Sequence, residues 1–382
     1  MKKILLGTTG LVAVALLATA ASAETPKVTL GGFSDFQGAW TDDHGATRAV
    51  GFRNDNEVTV KVDGKTDAGL GYGAEIDLEA DTTTDADNQG LNASRTFTYL
   101  EGNWGRVEMG GNKSVASTMR VDASTLAAAT GGINGAWTYF VAGAPAGTTG
   151  FITTSKLPGE NGSTLTNGDE STYNATKVSY YTPKFAGFQA GVSYTPQLAD
   201  RGQNVARSNN TGEADMLDFG LGWEGAYSGV KLAAAGTYET AHGNGIAQGA
   251  TAPNATVINY GTDDINAWNI GALAGYMGFS LAGSYGSWDD SGLRGVDGDY
   301  WTAGLGYSAG PVGLSATFID SSLSAPTGGD DDFTNLVFGA EYKLAAGLTP
   351  YAEVSFYDFN GNRATAYDNG GTEVILGTQV AF

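Results

Sequence analysis

The residues that could carry chemistry in this chain are scattered. Gly220-Leu221-Gly222-Trp223-Glu224-Gly225 matches G-x-G-x-x-G, the phosphate-cradling turn of dinucleotide sites. Such a turn must end a strand and open a helix. Here it lies inside an alternating apolar and polar run, so no nucleotide site is expected. The two histidines, His44 and His242, sit in separate polar stretches without a metal-ligand spacing. No G-x-S-x-G elbow offers a serine nucleophile. Carboxylates are plentiful, but a glycosidase needs a shielded pair, and most of these fall in polar loops. No reaction is expected; lipid hydrolysis by the purified protein would revive one. Three acidic clusters leave two readings open: Asp81, Asp85 and Asp87; Asp289, Asp290, Asp297 and Asp299; Asp330, Asp331 and Asp332. They are a solvated surface, or they bind Ca²⁺, a hard cation that takes several carboxylate oxygens. No other cofactor is implied.

Composition narrows the class. Asp and Glu total 41 against 20 Lys and Arg, for a formal net charge of −21. No basic run exists, which excludes a nucleic-acid partner. Lys2 and Lys3 precede an apolar stretch from Ile4 to about Ala18 and then Ala21-Ser22-Ala23. That pattern predicts a secretory signal peptide over 1–23, with 24–382 as a single domain. The apolar stretch is short for a bilayer span. A secreted protein without cysteine must be held by something other than disulfides.

The elements that would position these residues alternate with period two. "LGYGAEIDLEA" puts Leu70, Tyr72, Ala74, Ile76 and Leu78 on one face and Glu75, Asp77 and Glu79 on the other. "LDFGLGWEGAY" puts Leu217, Phe219, Leu221 and Trp223 opposite Asp218, Gly220, Gly222 and Glu224. The connections alternate too. Short ones read as turns, among them Asp63-Gly64-Lys65, Asn103-Trp104-Gly105, Tyr227-Ser228-Gly229, Met277-Gly278 and Ala346-Gly347. Long ones cover about 42–49, 81–92, 113–172, 196–214, 240–264, 288–298, 320–333 and 359–371. Seven short turns and eight long loops join sixteen strands. This asymmetry predicts an all-β, 16-stranded antiparallel transmembrane barrel with long external loops. Lipid cannot hydrogen-bond a backbone, so a non-helical span must close on itself. Aromatic residues near strand ends, such as Tyr99, Trp104, Tyr180, Trp301 and Tyr342, fit an interfacial girdle. The chain ends in "TEVILGTQVAF", a strand that must pair with the first, about Lys27 to Trp40. The competing reading is a secreted β-sandwich adhesin or lectin, which would be soluble without detergent.

Three stretches resemble Gram-negative general diffusion porins, closest to the alphaproteobacterial type. They are "KVSYYTPKFAGFQAGVSY" (177–194), "EGNWGRVEMGGNK" (101–113) and the terminal strand. The enterobacterial P-E-F-G-G motif is absent, and "STMRVDASTLAAATGGINGAW" takes its place. The resemblance implies an outer-membrane, water-filled channel for passive diffusion of small hydrophilic solutes and ions. It also implies a homotrimer among lipid and lipopolysaccharide, and Phe382 as the signal read by the barrel assembly machinery. The third loop, 113–172, would fold inward and present Asp122, with Glu160, Asp169 and Glu170 near its return. The family's opposing basic residues match Arg53 and Arg95, with Lys61, Arg106 and Lys177 as further candidates for the pore constriction. Glu75, Asp77 and Glu79 would line the pore as its acidic face. An acidic vestibule concentrates cations, so cation selectivity is expected. The alternative within this class is a solute-specific channel, for a sugar or an acid.

Overall fold

The computed structural model describes residues 25–43, 48–80, 92–141, 151–161, 174–198, 200–202, 205, 213–243, 263–291, 296–324, 329–361 and 368–382. The stretch 1–23 expected to be a signal peptide, and His44, Asp81, Asp85, Asp87, Asp169 and Glu170, lie outside them. Sixteen strands form one closed antiparallel barrel in which each pairs with its neighbours in sequence. They are β1 (Lys27–Asp43), β2 (Val50–Lys65), β3 (Gly71–Glu79), β4 (Asn92–Gly102), β5 (Gly105–Gly111), β6 (Thr176–Tyr181), β7 (Phe188–Gln197) and β8 (Ala214–Tyr227). The second half comprises β9 (Val230–His242), β10 (Ile265–Tyr276), β11 (Phe279–Trp288), β12 (Gly298–Ala309), β13 (Val312–Ser324), β14 (Asp330–Tyr342), β15 (Leu348–Gly361) and β16 (Asp368–Ala381).

Alternation decides which way each side chain points. Leu30, Phe52, Leu221, Ile270, Leu281 and Leu376 are all more than half exposed, whereas Asp77, Asp218, Glu239 and Glu373 are fully buried. Exposed apolar and buried charged residues invert the order of a soluble protein. The inversion is stable where lipid surrounds the outer face. Closure is made by the last strand. Phe33 of β1 faces Ala381 of β16, and Gly32 and Phe382 exchange backbone hydrogen bonds of 3.0 Å in both directions. Each strand thereby has a paired neighbour on both sides, and the sheet has no free edge strand.

Short turns follow local chemistry. Ser228 and Gly229, and Met277 and Gly278, all have positive φ, the backbone that matches the twist of two-residue hairpins. The expected turn at Asp63-Gly64-Lys65 is corrected: Asp63 pairs with Gly73 and Lys65 with Gly71. The chain turns instead through 66–70, where Leu70 N donates to Thr66 Oγ1 at 3.1 Å. Strand pairing overrides the Asp-Gly signal because Gly64 lies under the Tyr72 ring and Asp63 accepts from Tyr99 Oη. The loops expected at 320–333 and 359–371 are also shorter, since β13 to β16 run further toward that end.

Between β5 and β6 the chain leaves the wall. It forms α1 (Val115–Met119), 3₁₀ turns at Ala123–Leu126, Gly132–Asn134 and Ala136–Tyr139, and α2 (Pro158–Asn161).

Candidate functional site: the lumen and the segment docked within it

The described parts of the segment between β5 and β6, 112–141 and 151–160, pack against inward-facing residues of the barrel. Irregular backbone at membrane depth survives only if its polar groups are satisfied. Here the wall provides acceptors one after another. Val115 N donates to Ser193 Oγ at 3.0 Å, Ala123 N to Thr302 Oγ1 at 3.2 Å, and Ala128 N to Ser315 Oγ at 2.9 Å. Thr130 gives Glu353 both its N–H and its hydroxyl, at 3.2 and 2.6 Å. Ile133 N donates to Thr317 Oγ1 at 3.1 Å. On the return limb Tyr300 donates to Ser155 O at 2.8 Å, and Gly159 N donates to Glu239 Oε1 at 2.6 Å. Trp137 stacks on Phe333 and Tyr357, with centroids 5.5 and 5.9 Å apart. Apolar Ile319, Val337 and Ile375 are buried on the same inner face. Glycines on the wall make room. A Cβ on Gly271 would lie 1.7 Å from Val121 O, and one on Gly339 would lie 2.7 Å from Ala128 O.

An ion cluster ties the two limbs together. Arg120 Nε meets Asp122 Oδ2 at 2.9 Å, and its Nη1 meets Glu160. Asp122 caps the 3₁₀ turn at Ala123–Leu126 through Thr125 N and accepts from Ser124 and Ser155 at 2.6 Å each. Burial alone would raise the Asp122 carboxyl. Arg120 and the two serine hydroxyls overturn this and hold it below its ordinary value. Burial likewise works against the Arg120 charge, but Glu160 and Asp122 hold it above its ordinary value. The expected role of Asp122 at the constriction is therefore corrected. It is 2% exposed, and its carboxylate is used up inside the segment as a cap and an ion-pair partner.

The opposite side of the lumen, β2 to β4, keeps charged side chains partly exposed. Arg53 meets Asp55 at 2.8 Å, with side chains 22% and 29% exposed, and its guanidinium lies 4.0 Å over the Tyr139 ring, where the docked segment reaches across to β2. Arg95 pairs with Asp77 and lies 3.9 Å from Glu75. Asp77 is fully buried beneath this pair, while Glu75 stays partly exposed; Glu79 faces Glu57 across β2 and β3. Lys61 is a loose pair with Asp63 at 3.8 Å. Arg106 sits beside the turn joining β4 and β5, with Glu108 at 2.6 Å, Glu101 at 3.0 Å and the Tyr99 ring at 3.8 Å. Lys177 is 3% exposed, and its ammonium donates to the Asn112 and Ala175 carbonyls. Its placement at a constriction is corrected: the charge serves the wall where the segment departs.

Sequence reasoning missed Arg120, Tyr139, Lys113 and Lys156. The two lysines flank the segment, and burial lowers both of their amino pKa values; Arg95, Arg120 and Lys156 add to the effect at Lys113. The spacing Arg120-x-Asp122 was a readable signal, but its third member, Glu160, is remote. Among the described residues no three acidic or histidine side chains come together as a metal would require. His242 lies 3.7 Å from Asp264, both well exposed.

A lipid-facing closed barrel with a docked internal segment and a charged open wall defines the class of outer-membrane channel proteins. A Gram-negative porin family model matches residues 8–362, and the chain belongs to that family. It is similar to an uncharacterized protein of Rickettsia felis, 28% identical over 364 residues, covering 81% of this chain and 80% of the relative. A Rickettsia bellii protein is 26% identical over 357 residues, with 79% and 78% covered. Among solved structures, an anion-selective porin from Comamonas acidovorans shares the fold with a TM-score of 0.61, 16% identity, and 94% and 100% coverage. The trimer form of Vibrio cholerae OmpT gives 0.62, 13%, and 94% and 99%. Salmonella typhi OmpF in complex with daunomycin gives 0.63, 14%, and 93% and 98%. The protein is an outer-membrane β-barrel porin.

Proposed function

We propose that this porin passes small hydrophilic solutes and ions by passive diffusion, catalyses no reaction, and prefers cations moderately. The observation that carries this reading is the division of the lumen. One wall is occupied by the docked segment, and the other offers partly exposed charges to water. On that open wall the inward, partly exposed Asp55, Glu57, Asp63, Glu75 and Glu79 outnumber Arg53, Lys61 and Arg95. Lys113 and Lys156 oppose them from the docked segment, which keeps the preference moderate. Selection then follows size and the field across the path. A reversal potential across a planar bilayer with a KCl gradient tests this. The expected sign is that of cation preference; an anion-selective potential overturns the electrostatic part.

A homotrimer is the assembly this reading favours. Ser34 and Asn56 face outward near the middle of β1 and β2, hydrogen-bonded to each other at 2.6 Å. Asn54 is also exposed there, opposite Phe36 in the register of β1 and β2. Polar groups at that depth are costly against lipid and acceptable against another subunit. Gel mobility before and after heating tests it: a heat-labile oligomer supports the reading, and monomer under mild detergent opposes it.

A further inference from the structure

The inner wall of β8 to β10 breaks the polar rule of a water-filled lumen. In register, Glu224, Ala233 and Leu273 form one row across these strands, and Gly222, Ala235 and Gly271 form the next. Leu273 has the same parity as Asn269 and Gly271, which face inward, while Ile270 is lipid-exposed. The docked segment passes above this patch with Met119 and Val121, and leaves a cavity of about 460 Å³ between them. That volume suits a small solute. The cavity reaches down to the turn between β6 and β7 at Lys184 and Gly187.

Two ion pairs border it. Arg106 meets Glu108 at 2.6 Å, and Lys184 meets Glu224 at 2.8 Å. The second pair is well exposed, at 55% and 67%, so its mutual attraction is weak and either member can take a new partner at little cost. An anion with an apolar body would meet two repelling carboxylates, and a cation would meet Arg106 and Lys184. A solute with both charges next to an apolar side chain can engage both signs and still lay its side chain on Ala233, Ala235 and Leu273.

We propose that this cavity is a binding station for zwitterionic solutes with an apolar side chain, the class of free amino acids and short peptides. The proposal rests on the channel reading and names one solute class that the channel retains during passage.

The test is current through the purified porin in a planar bilayer, with leucine, glycine, 4-methylpentanoate or isoamylamine added on the short-turn side. Leucine should reduce the KCl current at concentrations about tenfold lower than glycine, as expected for burying a branched side chain, and also lower than either single-charge analogue, each of which lacks one of the two ionic contacts. Ala233→Leu, which fills the floor, should abolish the preference. Lys184→Met, at an exposed position where folding is not at stake, should weaken leucine and leave isoamylamine unchanged or improved. Equal block by all four solutes overturns the proposal, as does a leucine preference that survives both substitutions. Intact KCl current in these cases leaves the channel reading standing; absence of KCl current overturns that reading as well.

Discussion

The two sides of the lumen are built from the same alternating pattern and do opposite work. From β7 to β15 the inward positions are hydroxyls, glycines, apolar groups and buried carboxylates that accept hydrogen bonds from the docked segment, as Thr302, Ser315, Thr317, Glu353 and Glu239 do. From β2 to β4 the inward positions are ion pairs left partly exposed, such as Arg53–Asp55. Apart from the cavity beneath Met119 and Val121, the first side is a packed interior that lies inside a pore. The second is the pore wall. Period-two polarity separates lipid from lumen, but it does not separate a polar group that meets water from one that meets backbone.

The comparison can be broken most severely through the clamp between the two limbs. Arg120→Met would leave Asp122 and Glu160 buried without their cation. A loss of about 3–5 kcal/mol is expected, seen as faster amide exchange in the docked segment while the barrel strands stay protected. Gly271→Val comes next. Its side chain cannot coexist with Val121 O, so the segment must shift toward the lumen, at a cost of about 3 kcal/mol and with reduced single-channel conductance. Gly236→Val, one ladder away on the lipid face with its nearest neighbour 3.8 Å from the new Cβ, should change neither.

Smaller effects belong to the open wall. Arg53→Gln should alter stability by less than about 1 kcal/mol, because its pair is part-exposed, yet increase cation selectivity. Acid and base act on different charges of the docked segment. Asp122 has a folded pKa below its ordinary 3.8. Its stabilising contribution is therefore present above that value and is lost as pH falls through the lower folded value. Segment protection should drop only under strongly acid conditions. Lys113 and Lys156 titrate below the ordinary 10.5, so they lose their positive charge before a free lysine would. Cation selectivity should rise with alkaline pH starting below 10.5, and reversal potentials against pH check it.

Much of this fold was legible because lipid imposes it. Strand faces, closure of β16 on β1 and the alternation of short and long connections all follow from satisfying backbone groups in hydrocarbon. The reading of Leu221 as outward and Asp218 as inward depends on nothing beyond parity. The site was less legible. Arg53 and Arg95 fall on the open wall, while Asp122 and Lys177 are buried by contacts with Arg120 and with the Asn112 and Ala175 carbonyls. Those contacts join residues such as Arg120 and Glu160, 40 positions apart. Turn propensity misled at Asp63-Gly64, where Tyr72 and Tyr99 pack onto the strand and decide the local structure.

Because the chain has no cysteine, single introduced thiols can report which wall meets water. Asp55→Cys and Glu75→Cys on the open wall, and Thr302→Cys and Thr317→Cys on the covered wall, should be tested with a small charged thiol reagent during current recording. Modification at the first two should proceed quickly and shift the current, while the second pair, at 3% and 0% exposure, should stay silent until the segment 123–153 is deleted. Modification of Thr317→Cys as fast as Asp55→Cys in the full-length porin would contradict the division of the lumen.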